Sequence, residues 1–543
     1  MTSEGAAFVT IFIDGQPVCA PAGSSVAAAI LSRSSPRATG VGVGCTRISV
    51  SGERRAPLCG MGICHECRAA VDGRLRLACQ TPCREGMHID TAQEGMNGRG
   101  TAPRLEGSAG DSPVAAPASC DLLIVGAGPA GMAAALAAAP SGASIVMLDD
   151  NPAPGGQIWR DGPGAALPQQ ARAMRDALER HANIRILTGC RVVGLGGARG
   201  ELTLLLENAE GGWAQRAGKV ILCTGARELL LPFPGWTLPG VTGAGGLQAL
   251  VKAGLPVAGQ RIVVAGTGPL LLATANTVRK AGGQVVRIAE QSPWRHLAAF
   301  AAQLPRWPAK AAQALTLLDR QFRAHSHVVE AMGDESVSAV RVHRGAGRHE
   351  EIIACDRLAC GFGLVPNTQL GELMGCALGA HDGLAVDSQQ ATTVPGIHAA
   401  GECTGFGGSE RALAQGAIAG HSAVGDMFLA RALQPRLARW DSFAVALRRH
   451  FALREELKSL PHPDTLVCRC EDVSYAEVAA RSGWIDAKLH TRCGMGACQG
   501  RVCGGAMQFL LGWRPAPPRH LLSPARIGTL AGCSTTPAPS GNR

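Results

Sequence analysis

The stretch DLLIVGAGPAGMAAALAAA, residues 121–139, decides the fold of the middle of this chain. Four apolar residues lead directly into Gly126, Gly128 and Gly131, and an alanine-rich run typical of a helix follows. In such a strand–turn–helix unit the first glycine permits a tight turn and the second lets a pyrophosphate approach the backbone. The third glycine lets helix and strand pack closely. The pattern therefore predicts a dinucleotide-binding unit.

The position of the next acid supports this interpretation. A second apolar strand, SIVML, ends at Asp149, which lies 23 residues after Gly126. An acid at about this distance can bind a ribose hydroxyl. A glycine motif alone would be weak support, but here strand, turn, helix, second strand and acid follow one another in order. We therefore expect Asp149 to contact a ribose.

A second unit of the same kind occupies residues 261–290, RIVVAGTGPLLLATANTVRKAGGQVVRIAE. It keeps Gly266 and Gly268 but has Leu271 where the third glycine belongs. The leucine should hold the helix further from the strand. Glu290 could take the ribose-binding role, so two interpretations stay open: a second nucleotide site, or a retained fold with an empty or altered site.

Length and composition set the frame around these units. A chain of 543 residues is too long for one ordinary core, so roughly two to four domains are expected. The first residues lack the basic start and apolar run of a signal peptide, and no stretch of about 20 apolar residues indicates a membrane span. We expect a cytoplasmic protein, in which disulfides are rare and metal better explains the 20 cysteines.

The distribution of charge argues against one class of partner. The net charge of +10 is spread along the chain rather than gathered into basic runs. With one tyrosine and 4% aromatic residues, the chain has little material for stacking on bases. Nucleic-acid binding is therefore not expected.

Local patterns organise the N-terminal part of the chain. The segment FVTIFIDGQPVCAPAG, residues 8–23, alternates apolar and polar residues around Asp14-Gly15, which predicts a β-hairpin. SSVAAAIL follows and offers a serine cap for a helix. Residues 93–118 are rich in Gly, Pro, Ala and Ser without a period, which predicts a flexible linker.

The first group of cysteines has a specific spacing. Cys59, Cys64, Cys67 and Cys79 lie at C-x4-C-x2-C-x11-C, with glycines between them. A plant-type [2Fe-2S] site uses C-x4-C-x2-C and a fourth, more distant cysteine. The alternatives are a zinc site, which more often uses pairs of C-x2-C, or unliganded core cysteines. The spacing favours the iron–sulfur cluster.

Four motifs, taken in order, resemble the two-dinucleotide-binding-domain flavoproteins. They are GAGPAG (126–131), DDNPAPGGQIWR (149–160), CTGARE (223–228) and TTVPGIHAAGECTG (392–405). In that family the first unit holds FAD and the second, where it is used, holds a pyridine nucleotide. The resemblance implies FAD contacts at Gly126, Gly128, Pro129, Ala130, Gly131, Asp149, Gly156, Gln157, Thr224, Gly225, Gly401 and Glu402. In the second unit the resemblance implies nucleotide contacts at Gly266, Gly268 and Glu290.

The chain departs from that family's pattern in two places. Glu402 stands where aspartate is usual, which keeps the charge but lengthens the side chain. The dithiol that disulfide reductases of the family place beside the flavin is missing after PGGQIWR. A thioredoxin-reductase-like activity is therefore disfavoured.

The C-terminal cysteines lie in LVCRCEDVSYAEVAARSGWIDAKLHTRCGMGACQGRVCGG, residues 466–505. This segment resembles the bacterioferritin-associated-ferredoxin-like domain, which binds [2Fe-2S] through a C-x-C and a later cysteine pair. Cys468 and Cys470 supply the C-x-C, and the later pair has two candidates of equal x4 spacing, Cys493 with Cys498 or Cys498 with Cys503. The resemblance implies Cys468, Cys470, Cys498 and Cys503 as ligands. Cys493, at a position that is often alanine in related subunits, is then a bystander, and a zinc site is the alternative.

The whole order of motifs resembles the α subunit of heteromeric amine dehydrogenases. This group includes D-hydroxyproline and L-proline dehydrogenases, opine oxidase, hydrogen cyanide synthase and the sarcosine oxidase α chain. The resemblance, over about residues 8–512, implies FAD and two [2Fe-2S] clusters, with FMN at a subunit interface and NAD or ATP at the second unit as further candidates. It also implies an FAD-containing β subunit resembling D-amino-acid oxidase, which oxidises the C–N bond, and a quinone or other electron acceptor.

The expected fold class is therefore α/β, with two Rossmann-like units between two small [2Fe-2S] domains. The N-terminal one is a β-grasp and the C-terminal one is helical. We expect the boundaries 1–92 (β-grasp), 93–118 (linker), 119–435 (FAD domain, with the second unit inserted at about 240–362), 436–464 (helical connection), 465–512 (C-terminal cluster domain) and 513–543 (tail).

Three functions remain in competition. The first is an electron-transfer α subunit that passes electrons from a partner flavoprotein, acting on an amine of the proline or hydroxyproline, opine or glycine class, to an acceptor. The second is a self-sufficient NAD(P)H-dependent flavin and iron–sulfur reductase, which Gly266, Gly268 and Glu290 would serve. The third is a non-enzymatic scaffold whose terminal domains only store iron or bind a partner.

Overall fold

The structure is a computed structural model, and it describes residues 7–33, 44–91, 118–197, 200–345, 347 and 349–533. The predicted linker, apart from its last residue, and the end of the predicted tail lie outside the described residues.

The N-terminal unit is a five-stranded sheet with one helix packed on it. Its elements are β1 (Phe8–Ile13), β2 (Gln16–Pro21), α1 (Val26–Ser32), β3 (Arg47–Ile48), β4 (Arg54–Arg55), β5 (Arg68–Val71), β6 (Arg74–Leu77) and β7 (His88–Asp90). The strand order is β2-β1-β7-β5-β6, with β1 and β7 parallel, which is the arrangement of a β-grasp. The predicted hairpin is confirmed, because β1 and β2 pair antiparallel across Asp14 and Gly15. The predicted serine cap is also confirmed: the Ser25 hydroxyl accepts the Ala28 N–H.

The first nucleotide unit follows. Its elements are β8 (Ala118–Val125), α2 (Pro129–Ala138), β9 (Ile145–Leu148), α3 (Gln169–Glu179), β10 (Ile184–Leu187), β11 (Arg191–Gly196), β12 (Thr203–Glu207), β13 (Gly212–Leu222) and β14 (Ala226–Glu228). The sheet order is β10-β9-β8-β13-β12-β11, with β8, β9, β10 and β13 parallel. The apolar end of β8 is buried, as expected for a strand covered on both faces.

The second nucleotide unit contains another parallel sheet and a three-stranded antiparallel sheet. Its elements are β15 (Val241–Gly243), α4 (Ala244–Lys252), β16 (Arg261–Gly266), α5 (Leu270–Lys280), β17 (Gln284–Glu290), α6 (Trp294–Ala301), α7 (Pro308–Thr316), β18 (Phe322–Arg323), β19 (Ser326–Met332), β20 (Ala339–Arg344), β21 (His349–Ala354) and β22 (Arg357–Gly361). The parallel sheet has the order β15-β22-β16-β17-β18, and the antiparallel sheet has the order β19-β20-β21.

The chain then returns to the first unit before it reaches the C-terminal cysteines. The remaining elements are β23 (Leu364–Pro366), α8 (Gln369–Leu373), β24 (Ile397–Ala399), α9 (Ser409–Ala423), α10 (Met427–Ala432), α11 (Gln434–His450), β25 (Leu466–Cys468), β26 (Val473–Ser474), α12 (Tyr475–Ala479), α13 (Trp484–Thr491), α14 (Cys503–Leu511) and α15 (Ile527–Cys533). Strand β23 pairs with β14, and β24 joins the first sheet beside β13.

One hydrophobic cluster joins three parts of the chain. It contains Leu58 of the N-terminal unit, Phe362 of the second nucleotide unit and Trp484 of the C-terminal segment, all buried. Burying one such side chain contributes about 1.5–3 kcal/mol. The cysteine-bearing ends are therefore packed against the middle of the molecule.

The length and hydropathy of the helices bear on membrane crossing. In the part of the chain that the structure describes, no helix combines the length and apolar character that such a crossing requires.

Candidate functional site

A cavity of about 430 Å³ opens at the first glycine loop. The strands β8 and β9 and the turn after β13 all end at it, as ligand sites do at the carboxyl ends of parallel strands. The structure brings these sequence-predicted residues together around it: Gly126, Gly128, Pro129, Ala130, Asp149, Gly156, Gln157, Thr224, Gly225, Gly401 and Glu402. Gly131, the remaining residue predicted to contact FAD, is not among the residues that line the cavity.

Each of the three positions in the loop is occupied by glycine for a separate structural reason. A Cβ on Gly126, whose φ is +108°, would lie 2.2 Å from the Cys223 carbonyl oxygen. A Cβ on Gly131 would lie 1.9 Å from the Gly126 carbonyl oxygen. At Gly128 the nearest atom would be 3.8 Å away, on Gly156. Gly126 and Gly131 thus permit close packing of the chain, whereas Gly128 leaves free space toward the cavity.

The carboxylate of Asp149, which follows β9, is hydrogen-bonded to the first glycine loop and to the segment after β9. The Asp149 carboxylate accepts the Ala127 N–H at 2.8 Å with one oxygen and the Asn151 N–H at 2.8 Å with the other. It is 6% exposed, and burial, followed by the charge of Asp150, raises its pKa to about 6. The neighbouring Asp150, which the sequence analysis did not select, also lines the cavity and is more exposed.

The first four cysteines form two pairs of buried thiols. Cys59 is paired with Cys64, and Cys67 with Cys79. The Cys59 sulfur also accepts the Met61 and Cys64 N–H groups at 3.4 Å. The contact with Cys64 and these N–H groups lower the pKa of Cys59 to about 6 despite its burial. Two thiol pairs match a cluster in which each of two irons is held by two thiolates.

The loop that carries these cysteines forms part of the cavity wall. Met61, Gly62 and Ile63 line the cavity opposite the glycine loop. The Arg160 guanidinium, from the segment after β9, donates to the Gly60 carbonyl at 2.5 Å. The first thiol group therefore lies directly behind the wall of the cavity.

The C-terminal cysteines fall into two groups. The Cys470 and Cys498 sulfurs are 3.5 Å apart. The Cys468, Cys493 and Cys503 sulfurs all lie within 4.8 Å of one another and are buried. The structure thus places the four predicted ligands in two groups, Cys470 with Cys498 and Cys468 with Cys503. It also places Cys493, which the sequence analysis set aside as a bystander, among them.

The loop of the C-terminal cysteines also reaches the cavity. Arg501, between Cys498 and Cys503, lines it. The Arg501 carbonyl accepts the Arg227 Nε–H at 2.9 Å, which fixes the loop to β14. Both cysteine loops therefore meet the same cavity.

The two cysteine-bearing units also contact each other. Arg47 donates to the Arg469 carbonyl at 2.7 Å and pairs with Glu66. Glu66, between Cys64 and Cys67, lies 3.5 Å from the Arg469 guanidinium. Arg55 forms a buried ion pair with Asp472 at 2.8 Å. The contacts of Arg47, Glu66 and Arg55 with the C-terminal segment each join residues about four hundred positions apart in sequence.

Protein packs against one part of the second glycine loop, although the space beside Gly268 is open. Glu290 is 1% exposed, and its carboxylate accepts from the Gly268 N–H at 2.7 Å and the Thr267 hydroxyl at 2.9 Å. The segment after α11, residues 451–454, lies over the loop and is called here the covering segment. Its Ala452 carbonyl accepts the Gln291 side-chain amide at 3.0 Å, and its Phe451 carbonyl oxygen lies 3.4 Å from the Thr267 hydroxyl. Sequence alone gave no signal for this contact.

Two family models match the chain. The model described as pyridine nucleotide-disulphide oxidoreductase matches residues 120–421. The chain belongs to this family. The model described as 2Fe-2S iron-sulfur cluster binding domain matches residues 6–94. This member of the pyridine nucleotide-disulphide oxidoreductase family is therefore an FAD-dependent oxidoreductase that also carries a [2Fe-2S] cluster.

The resemblance drawn from the sequence is confirmed by individual relatives. An opine oxidase subunit from Agrobacterium tumefaciens (strain Ach5) is 31% identical over 470 residues, which cover 75% of this chain and 88% of that protein. Hydrogen cyanide synthase subunit HcnB from Pseudomonas aeruginosa is 32% identical over 441 residues, covering 73% and 93%. Both relatives are named as subunits, so partner subunits are implied for this oxidoreductase.

A solved structure shares the fold over nearly the whole chain. The L-proline dehydrogenase from P. horikoshii superposes with a TM-score of 0.67 and covers 97% of this chain and 98% of its own. Its sequence identity is 18%, so the likeness concerns the fold. The predicted α/β class with Rossmann-like units and an N-terminal 2Fe-2S domain is confirmed.

Proposed function

We propose that this chain is the electron-transfer subunit of a heteromeric dehydrogenase or oxidase acting on the C–N bond of an amino acid or amine. The observation that carries the proposal is that both cysteine loops, through Met61 and Ile63 on one side and Arg501 on the other, line the same cavity at the first glycine loop. The relatives named as opine oxidase and hydrogen cyanide synthase subunits support the class of reaction.

In this proposal the first glycine loop and the N-terminus of α2 hold the FAD pyrophosphate. Asp150 binds the ribose while Asp149 positions the loop, because both Asp149 oxygens are already engaged by N–H groups. The first cluster is held by Cys59, Cys64, Cys67 and Cys79. A second [2Fe-2S] cluster is held by Cys468, Cys470, Cys498 and Cys503.

Side chains around the cavity hold the two cysteine loops and the start of α4 in fixed positions. When bound, FAD accepts two electrons together and releases them singly, and a [2Fe-2S] cluster carries one electron at a time. Arg160 holds the first cysteine loop through the Gly60 carbonyl, and Arg227 holds the second through the Arg501 carbonyl. The Glu228 carboxylate accepts the Gly245 and Gly246 N–H groups and so fixes the start of α4 at the cavity wall.

The substrate is oxidised elsewhere in this proposal. An FAD-containing β subunit resembling D-amino-acid oxidase takes the hydride from an amine of the proline or hydroxyproline, opine or glycine class. This chain receives the electrons, with FMN at the subunit interface as a further carrier, and passes them to a quinone or another acceptor. We propose further that the second nucleotide unit receives no hydride from NAD(P)H, since the Glu290 carboxylate already accepts from the Gly268 N–H and the Thr267 hydroxyl, and the covering segment contacts Thr267. ATP is the alternative occupant.

An anaerobic titration of the purified chain tests the proposal. NADH, NADPH, a panel of amines and then dithionite are added in turn, while flavin absorbance and cluster EPR are followed together. We expect dithionite alone to reduce the flavin and both clusters. Rapid bleaching of the flavin by NADH or NADPH would instead establish the self-sufficient reductase. Oxidation of an amine by the isolated chain would remove the need for a partner.

A further inference from the structure

The C-terminal site contains five thiols where a [2Fe-2S] cluster uses four. Cys470 and Cys498 face each other at 3.5 Å. Cys468, Cys493 and Cys503 form the other group, within 4.8 Å of one another and exposed by 1%, 0% and 1%. Within the described residues this is the only set of three potential metal ligands that lie so close together.

The two groups correspond to the two irons of a cluster. Each iron of a [2Fe-2S] centre takes two thiolates. The pair Cys470 and Cys498 satisfies one iron. Cys468 supplies one thiolate to the other iron, and the last position then has two candidates, Cys493 and Cys503, each of which contacts the Cys468 sulfur.

We propose that Cys493 is a reserve ligand, so that Cys493 and Cys503 are alternative thiolates for the same iron of the second cluster. The inference rests on the proposed second cluster and concerns which cysteines can hold it. Cys493 is thus a member of the metal site rather than a bystander.

The local backbone allows the exchange without a rearrangement of the loop. Cys493 follows the left-handed residue that ends α13, and Cys503 is the first residue of α14. Between them Gly494 and Gly500, both with left-handed φ, pack against the Trp484 ring, and a Cβ on Gly496 would lie 2.2 Å from the Cys470 Cβ. Because the Cys493 and Cys503 sulfurs already lie within 4.8 Å of each other and of Cys468, the exchange needs a change of side-chain torsion rather than a movement of this closely packed loop.

The exchange is balanced without a redox partner. One sulfur–iron bond, to Cys503, breaks, and one sulfur–iron bond, to Cys493, forms. The incoming thiol loses its proton and the outgoing thiolate gains one. No electron enters or leaves the cluster.

The test counts iron and records EPR, after reduction by dithionite, on the full-length chain with FAD bound. The variants are Cys493→Ala, Cys503→Ala and its near-isosteric partner Cys503→Ser, the double variant Cys493→Ala/Cys503→Ala, and Cys498→Ala as the matched control. Bound FAD and the EPR signal of the first cluster report whether each variant is folded.

We expect about four irons per chain in the wild type and in Cys493→Ala, as two [2Fe-2S] clusters require. Cys503→Ala and Cys503→Ser should keep about four irons, with the EPR signal of the second cluster shifted because its ligand has changed. The double variant and Cys498→Ala should retain about two irons, since each leaves one iron of the second cluster with a single thiolate.

Two results would overturn the inference. If both Cys503 variants lost the second cluster as fully as Cys498→Ala, then Cys493 could not act as a ligand. If the wild type contained only about two irons, or zinc at the C-terminal site, the proposed second cluster itself would be wrong and the reserve ligand with it.

Discussion

The two glycine loops of this chain follow β-strands of the same kind and differ in what lies over them. At the first, Gly128 faces a cavity of about 430 Å³ and Asp150 remains at its wall. At the second, Glu290 is engaged by its own loop, and the covering segment accepts a hydrogen bond from Gln291. A glycine motif therefore predicts the fold of a nucleotide unit, while the contacts around its loop also depend on distant parts of the chain.

The third glycine position shows the same contrast at close range. In the first unit a Cβ at Gly131 would meet the Gly126 carbonyl at 1.9 Å. In the second unit Leu271 stands there and is completely buried in the core. The second helix must therefore leave room that the first does not.

The largest expected effect is the loss of FAD when a side chain is introduced at Gly131, as Leu271 provides at the same position of the second unit. Gly131→Ala should reduce bound FAD below about a tenth of the wild-type content, because the new methyl group collides with the backbone that shapes the loop. Flavin absorbance per chain measures this. The matched control is Leu271→Ala, which should cost about 2–5 kcal/mol in unfolding free energy but leave FAD bound. Full FAD content in Gly131→Ala would break the comparison.

A smaller effect is expected when the cover of the second loop is loosened. The Arg454 backbone and guanidinium donate to the Gln291 side-chain oxygen, and Gln291 in turn donates to the Ala452 carbonyl. The double variant Gln291→Ala/Arg454→Ala should lose about 1–3 kcal/mol of stability, measured by urea unfolding, while its FAD content stays unchanged.

The same double variant sharpens the comparison through nucleotide binding. NADH fluorescence titration should detect binding in the variant at concentrations about tenfold below any binding by the wild type, since the covering segment would no longer be held against Thr267 at the start of the loop. Equal titrations for the two proteins would show that the covering segment does not control access.

The smallest expected effect separates the two adjacent acids of the first unit. Asp150→Asn should weaken FAD binding about tenfold, the loss of roughly one charge-assisted hydrogen bond, and leave the melting temperature of the FAD-free chain unchanged. Asp149→Ala should instead lower that melting temperature, because the buried Ala127 and Asn151 N–H groups lose their acceptor. If Asp149→Ala weakened FAD binding and Asp150→Asn lowered the melting temperature instead, Asp149 would be the ribose-binding residue.

Much of the fold could be predicted because it depends on local patterns. The hairpin at Asp14-Gly15, the cap at Ser25 and the strand–glycine–helix order at Gly126 are each written within a few residues, and each is confirmed. The resemblance to amine-oxidising α subunits also follows from short motifs in a fixed order, and named relatives confirm it.

The features that escaped prediction all depend on how distant segments meet. The Asp149 carboxylate accepts the Ala127 N–H of the glycine loop 22 residues earlier, a contact that the spacing of the motif does not reveal. The covering segment reaches Thr267 across 184 positions of sequence. Cys493 joins the other thiols only because α13 and α14 bring the loop ends together, which spacing alone does not reveal.

The docking of the N-terminal unit onto the C-terminal segment bears on gene organisation. The Arg55–Asp472 ion pair and the contacts of Arg47 and Glu66 with Arg469 join described residues on either side of residues 92–117. Buried contacts and a shared core join the two parts in addition to the covalent connection. We expect two separately translated polypeptides, divided between residues 92 and 117, to associate through the same surfaces, so that fusion into one open reading frame would chiefly fix their stoichiometry.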